Sequence, residues 1–279
     1  MRNLIYRVVT ALCLLPLVIA AFVIKGYFLL FLLGVVSLVS IYEAALIVIP
    51  KRQLAIALVI LYWGALYLPL LMPWHYSYVG IWFFMIFFVN SIVLFCVDFD
   101  AQDVEKITSL FYWSFYIVTA IGCVQLLTNS PILEGNVGMS FLWLCCISTW
   151  SNDTCAYVGG RLFGRHPLFE RVSQKKTWEG FFAGGLGMLV MIGILQYSSH
   201  LTTFDLFKGL SVKDILWVSL PLMALAPLGD LIESRFKRLY HVKDSSQILP
   251  GHGGVLDRID GLLMTIPWTT FYAFLIRSL

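Results

Sequence analysis

The sequence predicts an all-α, polytopic integral membrane protein with about nine transmembrane helices and a cytoplasmic amino terminus. Composition, the spacing of apolar runs and the placement of basic residues lead to that reading. Of 279 residues, 59% are hydrophobic and 13% charged, against roughly 45–50% and 25% in soluble domains. The mean hydropathy is +0.85, and 21 Phe, 13 Tyr and 9 Trp suit a lipid-facing chain with aromatic belts at the interfaces. Water cannot be the main solvent of such a chain.

A crossing takes roughly 20 apolar residues to cover about 30 Å of hydrocarbon. Runs of that kind lie at about residues 8–24, 27–49, 54–73, 78–97, 107–128, 138–158, 178–199, 212–232 and 255–277. The first follows Met1-Arg2-Asn3 and lacks a small-x-small cleavage site leading into a polar segment, so it is read as a span and not a removable leader. Cytoplasmic connections retain Lys and Arg. With the amino terminus inside, only Lys25, Lys208, Lys213 and Arg277 of the 19 basic residues fall outside. Nine spans, with the amino terminus in and the carboxyl terminus out, is the arrangement consistent with that split.

The formal net charge of +3 is too slight to suggest nucleic acid as a partner. Cys13, Cys96, Cys123, Cys145, Cys146 and Cys155 lie in or beside apolar runs with no CxxC pair. They read as small packing residues, since zinc held by thiolates needs closely spaced ligands. The acidic stretch from Asp98 to Glu105 is not in EF-hand order and reads as a solvated loop.

The chain divides near residue 130 by the polarity of its membrane segments. Residues 1–130 are nearly uncharged within their spans, Glu43 being the one acid there, and read as scaffold, dimer or lipid-facing helices. Residues 131–279 carry Asp153, Glu179, Asp230, Glu233, Asp257 and Asp260 near membrane depth. Ionisable groups there are expensive unless paired or hydrated, which makes this half the candidate catalytic region. Its cytoplasmic loops are expected at 159–177 and 233–254.

Three segments carry the chemistry. In the first, Asn152 and Asp153 end a span, where Asp153 could hold a metal or orient a polar ligand; helix packing through polar side chains is the competing reading. Gly159, Gly160 and Gly164 then loosen the backbone, while Arg161, Arg165, His166 and Arg171 supply positive charge. Ser173, Lys175, Lys176 and Thr177 lead into the next helix, whose first amides favour an anion such as phosphate. Topology enforcement or lipid headgroup contact would explain the lysines but not the adjacent hydroxyls.

The second segment, PLGDLIESRFKR at 227–238, sets Asp230, Glu233, Ser234 and Lys237 on one helical face, a spacing that plain helix salt bridges share. The third, KDSSQILPGHGGVLDRIDG at 243–261, is the most specific string. Gly251, Gly253 and Gly254 allow a tight turn and close backbone approach to a ligand. Asp257 and Asp260, three apart at a helix start, can share a hard divalent cation. Arg258 can meet a carboxylate or a phosphate. His252 reads as a phosphate or loop contact, or as a structural histidine.

The string SRFKRLYHVKDSSQILPGHGGVLDRID resembles the family motif of bacterial CDP-diacylglycerol synthases, the phosphatidate cytidylyltransferases. The matching positions are Ser234, Lys237, Arg238, Lys243, Asp244, Leu249-Pro250, His252-Gly253-Gly254, Asp257-Arg258 and Asp260, and SNDTCAYVGGRLFG and SQKKTWEG are similar to the same family. One departure is Gln174, where the family typically has proline after the serine, which relaxes that loop.

The resemblance implies the reaction of CTP with phosphatidate to give CDP-diacylglycerol and pyrophosphate, dependent on Mg2+, with a second cation left open. It also implies a homodimer in the bacterial inner membrane, with the site facing the cytoplasm. On that reading Asp230, Asp257 and Asp260, with Asp153, hold the metal. Lys237, Arg238 and Lys243 take the triphosphate, joined by Ser234, His252, Gly253 and Gly254 as substrate contacts. Ser173, Lys175 and Lys176 engage phosphatidate or departing pyrophosphate, and Arg258 neutralises developing charge. The alternatives are a nucleotidyltransferase for another lipid phosphate, an ion-coupled secondary transporter and a non-catalytic scaffold. A CDP-alcohol phosphotransferase is disfavoured, since the chain reads Asp260-Gly261-Leu262-Leu263-Met264-Thr265 where that pattern begins Asp-Gly-x-x-Ala-Arg.

Overall fold

The computed structural model describes residues 2–49, 52–67, 101–130, 132–133, 136–169, 173–201, 206–251 and 253–277. Its helices are α1 (Arg2–Ile24), α2 (Gly26–Val48), α3 (Arg52–Tyr67), α4 (Ala101–Asn129), α5 (Val137–Phe163), α6 (Trp178–Leu201), α7 (Val212–Leu239) and α8 (Leu256–Arg277). They fall on eight of the expected spans, and the one expected at 78–97 lies outside the described residues. Among the described residues, five stretches are long and apolar enough to cross a membrane: Gly26–Val48, Gln102–Asn129, Trp178–Ser198, Val212–Leu239 and Leu256–Arg277. The protein is therefore helical and of multi-pass membrane type. Among the described residues α5 is also long, but Ser151, Asn152, Asp153 and Thr154 dilute its apolar character.

Several features depart from the sequence expectation, among them Asp103 and Glu105, read as part of a solvated loop, which lie in α4. First, α7 continues past residue 232 to Leu239. Hydropathy falls there but helical periodicity does not: Leu231 and Phe236 remain buried, and Lys237 pairs with Glu233 one turn back at 2.8 Å, which favours the helix. At 1.5 Å per residue α7 is about 42 Å long, more than the hydrocarbon thickness of about 30 Å. Second, two short strands, β1 (Pro167–Phe169) and β2 (Ser173–Thr177), pair antiparallel between α5 and α6.

The chain forms two compact units, Met1–Gly122 with Asp244–Arg258, and Cys123–Lys243 with Ile259–Leu279. In the first, aromatic anchors join α2 to α3. The Trp63 indole N–H donates to the Gly34 carbonyl and to the Ser37 hydroxyl, at 3.2 and 3.0 Å. The Tyr67 hydroxyl donates to the Leu30 carbonyl.

In the second unit, small residues let α5 and α6 approach closely. A Cβ at Gly159 would lie 2.2 Å from the Ala183 Cβ, and one at Gly187 would lie 2.3 Å from the Cys155 Sγ. Such packing replaces the hydrophobic driving force that lipid does not supply. Hydroxyls add polar links, as in Thr149 donating to Thr265 at 3.1 Å. A capping box of Ser211 and Asp214 starts α7, and the Tyr272 hydroxyl donates to Asp214 at 3.1 Å, tying that end to α8.

Where α7 crosses α8, a Cβ at Gly229 would stand 2.3 Å from the Asp260 carbonyl oxygen. Backbone cannot yield as a flexible side chain would. Gly229→Ala is expected to lower stability by about 1–3 kcal/mol, read as a lowered unfolding midpoint of the detergent-solubilised protein.

Candidate active site

The second unit gathers acids from three helices. Asp230 and Glu233 lie one turn apart on α7, and the Gly229 crossing brings Asp260 of α8 beside them. One carboxylate oxygen from each of the three lies within 4.8 Å of the others. Asp153 on α5 is within electrostatic reach of Asp230, Asp260 and Lys176. Carboxylates this close repel unless cations intervene.

Two ammonium groups do intervene. Lys176 Nζ lies 2.6 Å from Asp230 Oδ2 and donates to the Pro227 carbonyl at 3.0 Å. Lys237 Nζ donates to Glu233 Oε2 at 2.8 Å, with Glu233 1% exposed. The Ser234 hydroxyl donates to Asp230 Oδ1 at 3.1 Å, and the Gly261 N–H donates to Asp260 Oδ1 at 2.8 Å. Four carboxyl groups thus face two lysines, so acids outnumber ammonium groups in the cluster.

The strand pair explains how Lys176 arrives there. Side chains alternate along a strand, so Lys175 is exposed while Lys176 turns toward Asp230. Thr177 ends the strand and caps α6, its hydroxyl accepting from the Gly180 N–H at 3.1 Å. Glu179 closes the turn: its Oε2 accepts from the Arg165 and His166 N–H groups, and its Oε1 lies 2.6 Å from His166 Nδ1.

The glycine-rich segment Asp244–Arg258 belongs to the first unit. Asp257 serves as an acceptor for its own loop: Oδ2 takes the Ser245 N–H at 3.1 Å, the Ser245 hydroxyl at 3.1 Å and the Gly254 N–H at 2.9 Å. Gly253, at φ +84°, would place a Cβ 2.7 Å from Asp257 Oδ2. Gly251 and Gly253 both take positive φ, which favours glycine. Arg258, Lys243 and Arg238 are exposed, with Arg238 also donating to the Val242 carbonyl at 3.3 Å.

The structure therefore brings Asp153, Lys176, Asp230, Ser234, Lys237 and Asp260 together in one unit. It adds Glu233, which was read as a helix-face acid and left out of the metal set; its i+3 spacing from Asp230 was the available signal. Asp257, expected among the metal ligands, makes loop contacts within the first unit. His252 and the side chain of Ser173 lie outside the described residues.

The donor set suits a hard divalent cation. Oxygens on opposite sides of such an ion stand about 4–5 Å apart, a span comparable to that of Asp230, Glu233 and Asp260. Carboxylates are the donors that magnesium or calcium prefers, and the excess of acids over ammonium groups in the cluster matches a cation.

Comparison with known proteins agrees with this chemistry. Residues 5–276 match the cytidylyltransferase family. A Haemophilus influenzae protein named phosphatidate cytidylyltransferase is 37% identical over 167 residues, 60% of this chain and 57% of that protein. One of the same name from Bacillus subtilis is 39% identical over 134 residues, 48% of this chain and 47% of the relative. A third, from Staphylococcus epidermidis, is 39% identical over 130 residues, 47% of each. The aligned part of this chain thus spans about half the length of the curated relatives it matches.

Lys237→Met is expected to cost about 3–5 kcal/mol, because it removes the ammonium from a buried carboxylate. Adding Glu233→Gln should recover much of that loss, since the uncompensated charge goes with it. Thermal unfolding of both variants in detergent reads the pair.

Proposed function

The chain belongs to the cytidylyltransferase family, and from that premise we propose that it transfers the cytidylyl group of CTP to phosphatidate, releasing pyrophosphate. The reading rests on one observation above all, the approach of Asp230, Glu233 and Asp260 to within 4.8 Å. A site with more carboxylates than ammonium groups repels a triphosphate unless divalent cations join it. Nucleotidyl transfer is the chemistry in which metal and polyanion arrive together.

Asp230, Glu233 and Asp260 would hold the metal, with Asp153 at the edge and Asp257 retained as a further candidate ligand. A bound magnesium ion would supply charge neutralisation on the phosphates. Lys176 and Lys237 hold the acids in place: each ammonium fixes one carboxylate and limits repulsion among them. Arg238 and Lys243 meet the triphosphate, with Ser234 orienting Asp230. Lys175 and Ser173 take the phosphate of the lipid.

An oxygen of the phosphatidate monoester attacks the α-phosphorus of CTP in line. The new bond forms as the bond to the β-phosphate's bridging oxygen breaks, and pyrophosphate carries off the electron pair and charge. Arg258 meets negative charge as it develops. No protein nucleophile takes part, and the monoester is already substantially ionised at neutral pH. The proposal includes an inner-membrane location and a cytoplasmic site, supported by the charge split along the chain and by the bacterial relatives, and a homodimer, which the family resemblance implies.

The test is pyrophosphate release from CTP by the purified protein, with and without phosphatidate, compared with dCTP, UTP and ATP. Release that needs both CTP and phosphatidate, and that stops in EDTA, is expected. Equal release with another lipid phosphate would move the acceptor assignment, and ion uptake into vesicles without CTP turnover would overturn the reading. Asp260→Asn should lower kcat about 100-fold or more, as loss of several kcal/mol of charge stabilisation requires. Turnover at the parent rate would remove Asp260 from the metal centre.

A further inference from the structure

Glu43 is the one acid within the amino-terminal spans, and the transfer outlined above does not use it. It lies on α2, fully buried, and within the first unit it meets the segment that carries the glycine-rich turn. Its Oε1 accepts from the Ser246 hydroxyl at 2.6 Å and the Val255 N–H at 2.9 Å. Its Oε2 accepts from the Ser245 hydroxyl at 3.0 Å and the Leu256 N–H at 2.8 Å. The two amides stand at the start of α8, where backbone N–H groups have no partner within the helix and the helix dipole favours negative charge.

Gly254 records the same fit from the other side. A Cβ there would lie 1.9 Å from the Ser245 hydroxyl and 2.6 Å from Glu43 Oε2. The carboxylate and its serine fill the space that any other residue would need. Along the same loop the Leu249 N–H donates to the Gly253 carbonyl at 2.9 Å, and the Thr10 hydroxyl of α1 donates to the Pro250 carbonyl at 3.0 Å.

We propose that Glu43 is a positioning residue for the reaction, fixing residues 245–251 and 253–256 in the conformation that receives the nucleotide phosphates. The inference rests on the cytidylyl-transfer reading in assigning this loop to CTP. The ordering of the loop by Glu43 stands on geometry alone.

A carboxylate is required for a stated reason. Val255 and Leu256 each offer a backbone N–H that can only donate, one to each oxygen of Glu43. Glutamine has nearly the same shape, but its NH2 must replace one of those oxygens. Whichever way it turns, one backbone donor then faces another donor. Serine hydroxyls can rotate to adapt, and the two amides cannot.

The experiment compares the full-length parent, Glu43→Gln and Ser246→Ala in detergent or nanodiscs, by hydrogen exchange over residues 245–256 and by kinetics with CTP and phosphatidate. Glu43→Gln should raise exchange at the Val255 and Leu256 amides at least about tenfold, with exchange in α5 and α6 unchanged. It should also raise KM for CTP at least about fivefold while KM for phosphatidate stays within about twofold. A smaller folded fraction lowers apparent kcat and leaves KM alone, so the KM shift separates positioning from simple instability.

Ser246→Ala removes one of the four donors and should show the same pattern more weakly, which decides the matter if Glu43→Gln does not fold. Parent-like loop exchange, or a loosened loop with parent-like KM for CTP, overturns the proposal. Absence of turnover in the parent would sink the cytidylyl reading, and unchanged loop exchange would then overturn this one separately.

Discussion

An ionised side chain among apolar helices must find a partner, and the rest of this structure is arranged around that requirement. An unpaired buried charge costs several kcal/mol, comparable to the whole stability of many domains. Glu233 has Lys237, Asp230 has Lys176, and Asp214 has Ser211 and Tyr272. Glu43 has four hydrogen-bond donors. Some of these acids also leave a trace in small residues. Gly229 and Gly254 sit where a Cβ would strike the groups being held.

The acids divide into two kinds by what satisfies them. Glu43 and Asp257 are met by backbone amides and hydroxyls, which hold a carboxylate still and are themselves fixed by it. Asp230 and Glu233 are met by lysine ammonium groups and lie beside Asp260, so the charge balance there changes whenever a cation or anion arrives. The first kind shapes backbone. The second is suited to chemistry, because its electrostatics respond to a ligand.

Much of this was legible in the sequence. Long apolar runs located the helices, and acids within them marked the region where the carboxylate cluster lies. Asp230, Ser234 and Lys237 were readable from helical spacing, and their contacts follow it. Less was readable where tertiary contact decides. Glu43 is one acid in an apolar run, and nothing local reveals that its partners lie some two hundred residues later in the chain. Lys176 looked like a cation for a ligand, yet strand alternation and the position of Asp230 turn it toward a carboxylate. Asp257 and Asp260 share a helix and a spacing, but the turn before Asp257 supplies donors that Asp260 does not have. The extension of α7 to Leu239 was legible as a helical face over 227–238, although the fall in hydropathy there also put the expected loop at 233–254.

The capping box at Ser211 and Asp214 fixes one end of α7, and Asp230 lies about 24 Å further along the axis. If α7 starts at one boundary of a hydrocarbon layer about 30 Å thick, that length carries Asp230 toward the opposite boundary. Under the proposed cytidylyl transfer, a lipid phosphate near that boundary would not need to leave the membrane to be modified. Its encounter with the protein is then lateral, within two dimensions, and its effective concentration is a mole fraction of the surrounding lipid. For such a catalyst, dilution of the acceptor among other phospholipids limits the rate, whatever its bulk molarity.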